Sequence, residues 1–178
     1  HYLVVVNASN NDKDWAWVNG VLNGDVLIDP RRPWAKWSAP AGSVVLRDLR
    51  APTSGSDMRA ELALQGPKSK DILLALGGNP SDLAKIRALP WAGIARVTLG
   101  ELDVIVSRTG YTGERVAYEL WVHPDRLVAF WKRLLEVGAA MGIKPCGLAA
   151  RDSLRRPQLS HSPLAENMRV EGGASSCD

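Results

Sequence analysis

Three runs of strand-forming residues follow one another in the middle of the chain, and only turn residues separate the first two. Residues 94–99 and 103–107 flank Gly100-Glu101, which is the pattern of a β-hairpin, and residues 117–122 form the third run. Helix-forming segments precede and follow these runs, but strands and helices do not alternate strictly as they do around a parallel sheet. We therefore predict an α+β fold, with antiparallel or mixed sheets packed against helices.

Turn and cap residues divide the rest of the chain into further elements. Asn10-Asn11-Asp12 offers N-caps to a helix, and Gly24 lies just beyond the end of its pattern. Prolines and paired arginines interrupt every periodicity between residues 29 and 40, which predicts a loop. The other expected strands cover residues 1–8, 44–49 and 60–64, and the other expected helices cover residues 13–22, 68–76 and 80–88.

Apolar spacing predicts which side chains are buried. The strongest helical pattern begins at Pro124, and one apolar face of that helix carries Leu127, Trp131, Leu134 and Leu135. Trp15 and Trp121 also fall on predicted apolar faces, so we expect these three tryptophans in the core. We expect the following tryptophans to be exposed: Trp34, Trp37 and Trp91.

Composition excludes several classes of protein. The chain has 178 residues, 46% of them hydrophobic and 23% charged, as in ordinary globular domains. The net charge is +3, and the basic residues do not cluster into the stripe that nucleic-acid binding needs. No apolar run in the sequence is long enough to span a membrane. Two distant cysteines, Cys146 and Cys177, indicate neither a metal site nor a disulfide framework, which favours the cytoplasm. The absence of an initiator Met suggests a chain cut from a longer protein.

The segment from Ser107 to Glu114 has the most informative pattern for chemistry. A strand runs into Gly110 and Gly113, which bracket an aromatic residue and a hydroxyl. Glycine lets backbone approach a ligand closely and adopt positive φ, but a glycine-rich turn is also found as a turn alone. The spacing matches neither a Walker loop nor a dinucleotide fingerprint.

Two charged positions each allow two interpretations. Alternation places Glu119 on the same face of its strand as Ala117 and Trp121, where it either faces water or accepts two parallel N–H groups of a ligand. Arg151 and Asp152 either form a solvated pair on a helix or contribute to a site. Neither His123 nor His161 has a companion at metal-ligand spacing, so we assign no metal site.

Four segments together resemble the aminomethyltransferase family, the T protein of the glycine cleavage system. They read VVVNASNNDKDWAW at 4–17, LALQGPKSKDILLALG at 62–77, SRTGYTGERVAYEL at 107–120 and KPCGLAARDSLR at 144–155. The resemblance implies a folate-binding fold for residues 1–155, followed by an irregular tail at 156–178. It also implies tetrahydrofolate as cofactor and a lipoyl carrier of the H-protein type as partner.

The resemblance assigns cofactor contacts to four residues. It implies that Glu119 accepts hydrogen bonds from the pterin, that Arg151 lines the same cavity, and that Asn7 and Tyr111 contact the cofactor. The catalytic aspartate of the family lies upstream of the matching strand, so no catalytic residue is assigned here. We expect a transferase as the parent protein and no catalysis by this chain alone.

Three alternatives remain open at this point. A folate-dependent demethylase or methyltransferase of the same fold suits the QGPKSKD segment equally well. A non-catalytic folate-binding module of iron–sulfur assembly would carry a KGCYxGQE signature, which nothing in the chain matches. An RNA-binding module would rest only on the charge of +3 and on exposed tryptophans.

Overall fold

A computed structural model describes residues 2–34 and 37–159 of the chain, and of residues 155–159 it describes the backbone alone. The chain divides into two compact units, His1–Asp48 and Leu49–Asp178. The predicted α+β fold is confirmed, because helices accompany a four-stranded antiparallel sheet. None of the helices within the described ranges is long and apolar enough to cross a membrane.

The first unit contains one α-helix, α1 (Asn11–Asn23), which confirms the helix predicted for residues 13–22. Asp12 and Asp14 lie in its first turn, where carboxylates stabilise the positive end of the helix dipole. Gly24 ends the helix with φ +76°, and its N–H donates to the carbonyls of Gly20 and Val21. A short 3-10 helix, Ala8–Asn10, precedes α1.

Two predicted strands in this part of the chain were wrong. The described residues of 1–8 form no strand, and neither do residues 44–49. Their valines are exposed, as Val4 at 72% and Val45 at 78% show. β-branched residues favour extended backbone, but a strand forms only where a neighbouring strand pairs with its N–H and C=O groups. Neither segment has such a neighbour among the described residues.

The second unit contains the sheet. Its strands are β1 (Ala60–Gln65), β2 (Ile94–Leu99), β3 (Leu102–Ser107) and β4 (Ala117–Val122), in the spatial order β1-β4-β3-β2. All neighbours are antiparallel, so the predicted hairpin and the two other predicted strands of this region, at residues 60–64 and 117–122, are confirmed. Gly100 has φ +60° in the hairpin turn, a conformation that glycine adopts without strain.

Helices cover one face of this sheet. They are α2 (Ser69–Ala75), α3 (Pro80–Ala88) and α4 (Pro124–Gly138), and α5 (Leu148–Leu159) follows them. The helices predicted for residues 68–76, 80–88 and 124 onward are confirmed. The helix α5 continues past the predicted tail boundary at residue 155, and residues 160–178, with His161 and Cys177, lie outside the described residues.

The core lies between the sheet and these helices. From the sheet it receives Leu64, Val97, Leu99, Val104, Val106, Tyr118, Leu120 and Val122. From α4 it receives Phe130 and Leu134, which are 1% and 3% exposed and lie four residues apart on one helix face.

The tryptophan predictions were correct in part. Trp121 is buried, and Trp34, Trp37 and Trp91 are exposed, as expected. Trp15 and Trp131 were wrongly predicted to be in the core, since they are 40% and 37% exposed. Trp131 lies one position, about 100° around the helix, from Phe130, which takes the place against the sheet.

A buried carboxylate joins α3 to the sheet. Asp82 accepts hydrogen bonds from the ammonium of Lys85 (2.6 Å), the backbone N–H of Thr98 in β2 (2.9 Å) and the amide of Asn79 (2.8 Å). These bonds, Lys85 first, lower the pKa of Asp82 from 3.8 to about 2. Asn79 also caps α3 by accepting the backbone N–H of Asp82 (2.8 Å).

Candidate functional site

The sheet face opposite the helices carries polar side chains. Strand alternation and register place on it Glu61 and Gln65 of β1, Ser107 of β3 and Glu119 of β4. Glu119 lies opposite Ala63 on one side and Ser107 on the other. Two carboxylates, an amide and a hydroxyl therefore share one small part of the sheet.

Glu119 has a hydrogen-bond partner within the protein. It is half-buried, and the hydroxyl of Thr109 donates to its Oε2. Alternation correctly predicted that Glu119 shares a face with Ala117 and Trp121, but it did not identify Thr109 as the partner. Among the described residues no group hydrogen-bonds to Oε1, so this oxygen is free to accept hydrogen bonds from a ligand.

The side chain of Gln65 fastens the glycine-rich turn to β1. Its Oε1 accepts the backbone N–H of Tyr111 (3.2 Å) and the hydroxyl of Thr112 (2.9 Å). Its Nε2 donates to the carbonyl of Tyr118 in β4 (3.3 Å). One amide therefore fixes the glycine-rich turn relative to both β1 and β4. The turn connects β3 to β4 and is also held against the sheet.

Gly110 allows this close packing. A Cβ at residue 110 would lie 2.3 Å from the Cβ of Ala117 and 2.5 Å from Oε1 of Gln65, so no other residue fits without displacement. The sequence analysis expected the glycines to let backbone approach a ligand closely, whereas Gly110 lets the backbone approach the protein's own sheet. Positive φ was expected for the glycines at both ends of the turn, and Gly113 has φ +84° whereas Gly110 does not have a positive φ.

Tyr111 and Arg151, predicted as cofactor contacts, are neighbours. The guanidinium carbon of Arg151 lies 5.4 Å from the centre of the Tyr111 ring, within the range of a cation–π interaction. Arg151 belongs to α5 and Tyr111 to the turn that Gln65 holds. The tyrosine is 48% exposed, so its ring also presents surface to solvent.

Charges of both signs act on this face. The pKa of Glu61 is raised, first because protein atoms remove water from its carboxyl group and second because Glu119 is negative, while Arg151 acts in the opposite direction. The carboxyl groups of Glu61 and Glu119 and the guanidinium of Arg151 therefore interact electrostatically across one face. Glu61 still exposes part of its surface to water.

Asn7 belongs to the other unit, His1–Asp48. It lies at the start of the 3-10 helix Ala8–Asn10, where its carbonyl accepts the backbone N–H of Asn10 (3.0 Å). Its side chain makes no capping hydrogen bond and is exposed. Its contact with a cofactor stays a prediction.

Four residues of this face, Glu61, Gln65, Ser107 and Thr109, were not predicted as site residues from the sequence. Glu61 and Gln65 lie in a strand that was predicted, but their position beside β4 depends on the order of strands in the sheet. Ser107 and Thr109 lie in the Ser107–Glu114 segment, whose sequence pattern consists of its glycines, aromatic residue and the hydroxyl between them. Within residues 2–34 and 37–159, no three His, Cys, Asp or Glu side chains group as metal ligands would.

Comparison with known proteins gives one consistent result. Residues 1–159 match the family model described as the GCVT N-terminal domain. The chain is 38% identical to the aminomethyltransferase of Bacillus subtilis over 154 residues, which is 86% of this chain and 34% of that protein. It is 37% identical to the aminomethyltransferase of Halothermothrix orenii, again over 86% of this chain and 35% of that protein.

A third relative gives a match of the same kind. The aminomethyltransferase of Phocaeicola vulgatus is 38% identical over 154 residues, 86% of this chain and 35% of that protein. The chain thus spans about a third of the length of the curated relatives that it matches.

Proposed function

Because the chain belongs to the GCVT N-terminal domain family, we propose that it is the folate-binding part of an aminomethyltransferase of the glycine cleavage system. The fold is then that of the T-protein type, with residues 1–155 in the folate-binding domain. The observation that carries the proposal is the free Oε1 of Glu119 on the sheet face to which Gln65 fastens the turn of Tyr111, with Arg151 against the Tyr111 ring.

The chemistry of these groups suits a reduced pterin. The pterin presents an amino group and a ring N–H side by side, and a carboxylate accepts such a pair in bidentate fashion. Glu119 offers one unused oxygen and a remaining lone pair on the oxygen bound to Thr109. The exposed ring of Tyr111 offers an aromatic wall, and the guanidinium of Arg151 offers donors to a carbonyl or anionic group.

The proposed reaction belongs to the whole protein. The parent takes an aminomethyl group from a lipoyl carrier protein, releases ammonia and passes the one-carbon unit to tetrahydrofolate. When bound, tetrahydrofolate supplies the amine that accepts this unit. The residues of this chain bind and orient it, which raises the rate by holding the reacting groups in the right geometry.

The relatives favour aminomethyl transfer over the alternatives. Those compared above are named aminomethyltransferases, which supports this activity over a demethylase or methyltransferase of the same fold. None of their names indicates an iron–sulfur assembly module or an RNA-binding protein. We place the reaction in the cytoplasm, with an H-protein-like carrier as partner.

Titration calorimetry with tetrahydrofolate under reducing conditions tests the proposal. We expect binding that 6,7-dimethyltetrahydropterin inhibits competitively, because the proposed contacts are all to the pterin. p-Aminobenzoylglutamate, the other half of the cofactor, should not compete at the same concentration. Absence of tetrahydrofolate binding, or competition by p-aminobenzoylglutamate alone, would overturn the proposed site.

A further inference from the structure

Two hydroxyl groups lie beside Glu119 in a row. The hydroxyl oxygens of Ser107 and Thr109 are 2.9 Å apart, and Thr109 contacts Oε2 of Glu119. Ser107 is 6% exposed and lies directly opposite Glu119 in the β3–β4 register. The three side chains form one hydrogen-bonded row along the sheet face.

The hydrogen atoms in this row can be assigned. A threonine hydroxyl has a single hydrogen, and an ionised carboxylate has none to donate. The hydrogen of Thr109 therefore goes to Glu119, and that of Ser107 goes to the oxygen of Thr109. Each donor in such a row strengthens the next, and the carboxylate receives the hydrogen bond at its end.

Other contacts hold the backbone around Thr109. The N–H of Arg108 donates to the carbonyl of Gly93 (2.9 Å), and the carbonyl of Arg108 accepts the N–H of Ala92 (3.0 Å). On the other side, Gln65 binds the backbone of Tyr111 (3.2 Å). Because these bonds fix the chain before and after Thr109, its hydroxyl is not required for the shape of the turn.

We propose that Thr109 is a positioning residue for Glu119: its hydroxyl fixes Oε2 so that the rest of the carboxylate is directed toward the pterin. This inference rests on the proposed function. A carboxylate held by one fixed donor loses less rotational freedom when a ligand binds, and so binds more tightly. Ser107 supports Thr109 in the same role from one position further away.

The test compares a variant that removes the hydroxyl with one that keeps it. Thr109→Val preserves the shape of the side chain, and we expect it to weaken tetrahydrofolate binding about tenfold, the scale of a hydrogen bond to a charged group. Thr109→Ser keeps the hydroxyl and should bind within about twofold of the unmodified chain. Circular dichroism and thermal unfolding check that each variant is folded.

A double-mutant cycle separates positioning from a general structural role. In a chain that already carries Glu119→Gln, Thr109→Val should cause no further loss beyond about twofold, because no carboxylate remains to be positioned. A structural effect would lower affinity equally in both backgrounds. Ser107→Ala, a small change in a buried hydroxyl, should give a loss of about threefold that also disappears with Glu119→Gln.

The possible outcomes are distinct. Equal losses in the two backgrounds, or unchanged binding by both Thr109→Val and Ser107→Ala, would overturn the positioning role and leave the folate site standing. No binding of tetrahydrofolate by the unmodified chain would overturn the proposed function and the positioning role together. If Thr109→Val does not fold, the Ser107→Ala cycle decides the question.

Discussion

Arg151 lies over the ring of Tyr111, with 5.4 Å between the guanidinium carbon and the ring centre. This contact joins α5 to the glycine-rich turn, while the side chains of α5 from Leu148 to Leu154 are exposed. An exposed cation–π pair contributes about 0.5–1 kcal/mol. Because no side chain from Leu148 to Leu154 is buried, this part of α5 depends strongly on each contact of this kind.

The first prediction concerns this contact. Tyr111→Leu removes the aromatic face, so backbone amides of α5 should exchange with deuterium faster, by about two- to fivefold. Tyr111→Phe keeps the face and should leave exchange close to that of the unmodified chain. Hydrogen-exchange mass spectrometry of α5 measures both, and equal rates in the two variants would show that the ring does not stabilise the helix.

The second prediction concerns the acceptor of the proposed site. Glu119→Gln replaces a carboxylate oxygen by an amide donor that faces the donors of the pterin, and the expected loss of binding free energy is about 1.5–3 kcal/mol. Calorimetry should thus show tetrahydrofolate binding about 10- to 150-fold weaker. Glu101→Gln, in the hairpin turn between β2 and β3, is the control and should bind normally. Equal affinity in both variants would remove Glu119 from the site.

The third prediction compares two adjacent aromatic residues of α4. Phe130 is 1% exposed and Trp131 is 37% exposed. Phe130→Ala should lower the free energy of unfolding by about 3–5 kcal/mol, the usual cost of truncating a buried aromatic residue. Trp131→Ala should cost clearly less, because part of its ring already contacts water. Urea unfolding measures both, and a larger loss for Trp131→Ala would mean that another face of α4 is buried.

The fourth prediction concerns pH. The pKa of Asp82 is about 2 in the folded chain, below its ordinary value of 3.8. The stabilisation is therefore fully present above about pH 4 and is lost as the pH falls through 2. Asp82→Asn should be less stable than the unmodified chain at pH 7, and the difference should shrink toward pH 2. Asp71→Asn, which breaks only an exposed 3.7 Å pair with Lys68, should show almost no such difference.

The fifth prediction concerns Gly110. A methyl group there would meet Ala117 and Gln65 at 2.3 and 2.5 Å, so Gly110→Ala should destabilise the chain by about 1–3 kcal/mol. Because the turn must move, tetrahydrofolate binding should weaken as well. Gly147→Ala is the matched control, since a Cβ at that position meets nothing within 4 Å. Similar melting temperatures for the two variants would contradict the close packing at Gly110.

Local patterns predicted most of the fold in the second unit. Pro80 predicted the start of α3, and Gly100 predicted the hairpin turn, because helix starts and turns depend on a few neighbouring residues. The prediction of a strand at residues 44–49 was wrong, because strand formation does not depend on neighbouring residues alone. The two valines of this segment favour extended backbone, but strand formation depends on a distant partner that the local sequence does not specify.

Only those features of the candidate site that depend on a single strand could be predicted from the sequence. The face of Glu119 followed from alternation within β4. Its neighbours Thr109 and Ser107 depended on the β3–β4 register, and the role of Gln65 depended on β1 lying next to β4. Trp131 and Phe130 show a related limit in a helix, because adjacent positions lie about 100° apart and the sequence pattern did not specify which of the two faces the sheet.

The place of β1 beside β4 has a consequence for the order in which the chain folds. The hairpin of β2 and β3 closes over a two-residue turn, whereas β1 meets β4 only after the chain closes a loop over residues 66–116. Longer loops cost more entropy to close, so local pairs form before distant ones. We therefore expect Gln65 and Glu61 to reach their positions beside Glu119 late in folding. A ligand that needs this face would then recognise the finished sheet, because the face is incomplete until β1 pairs with β4.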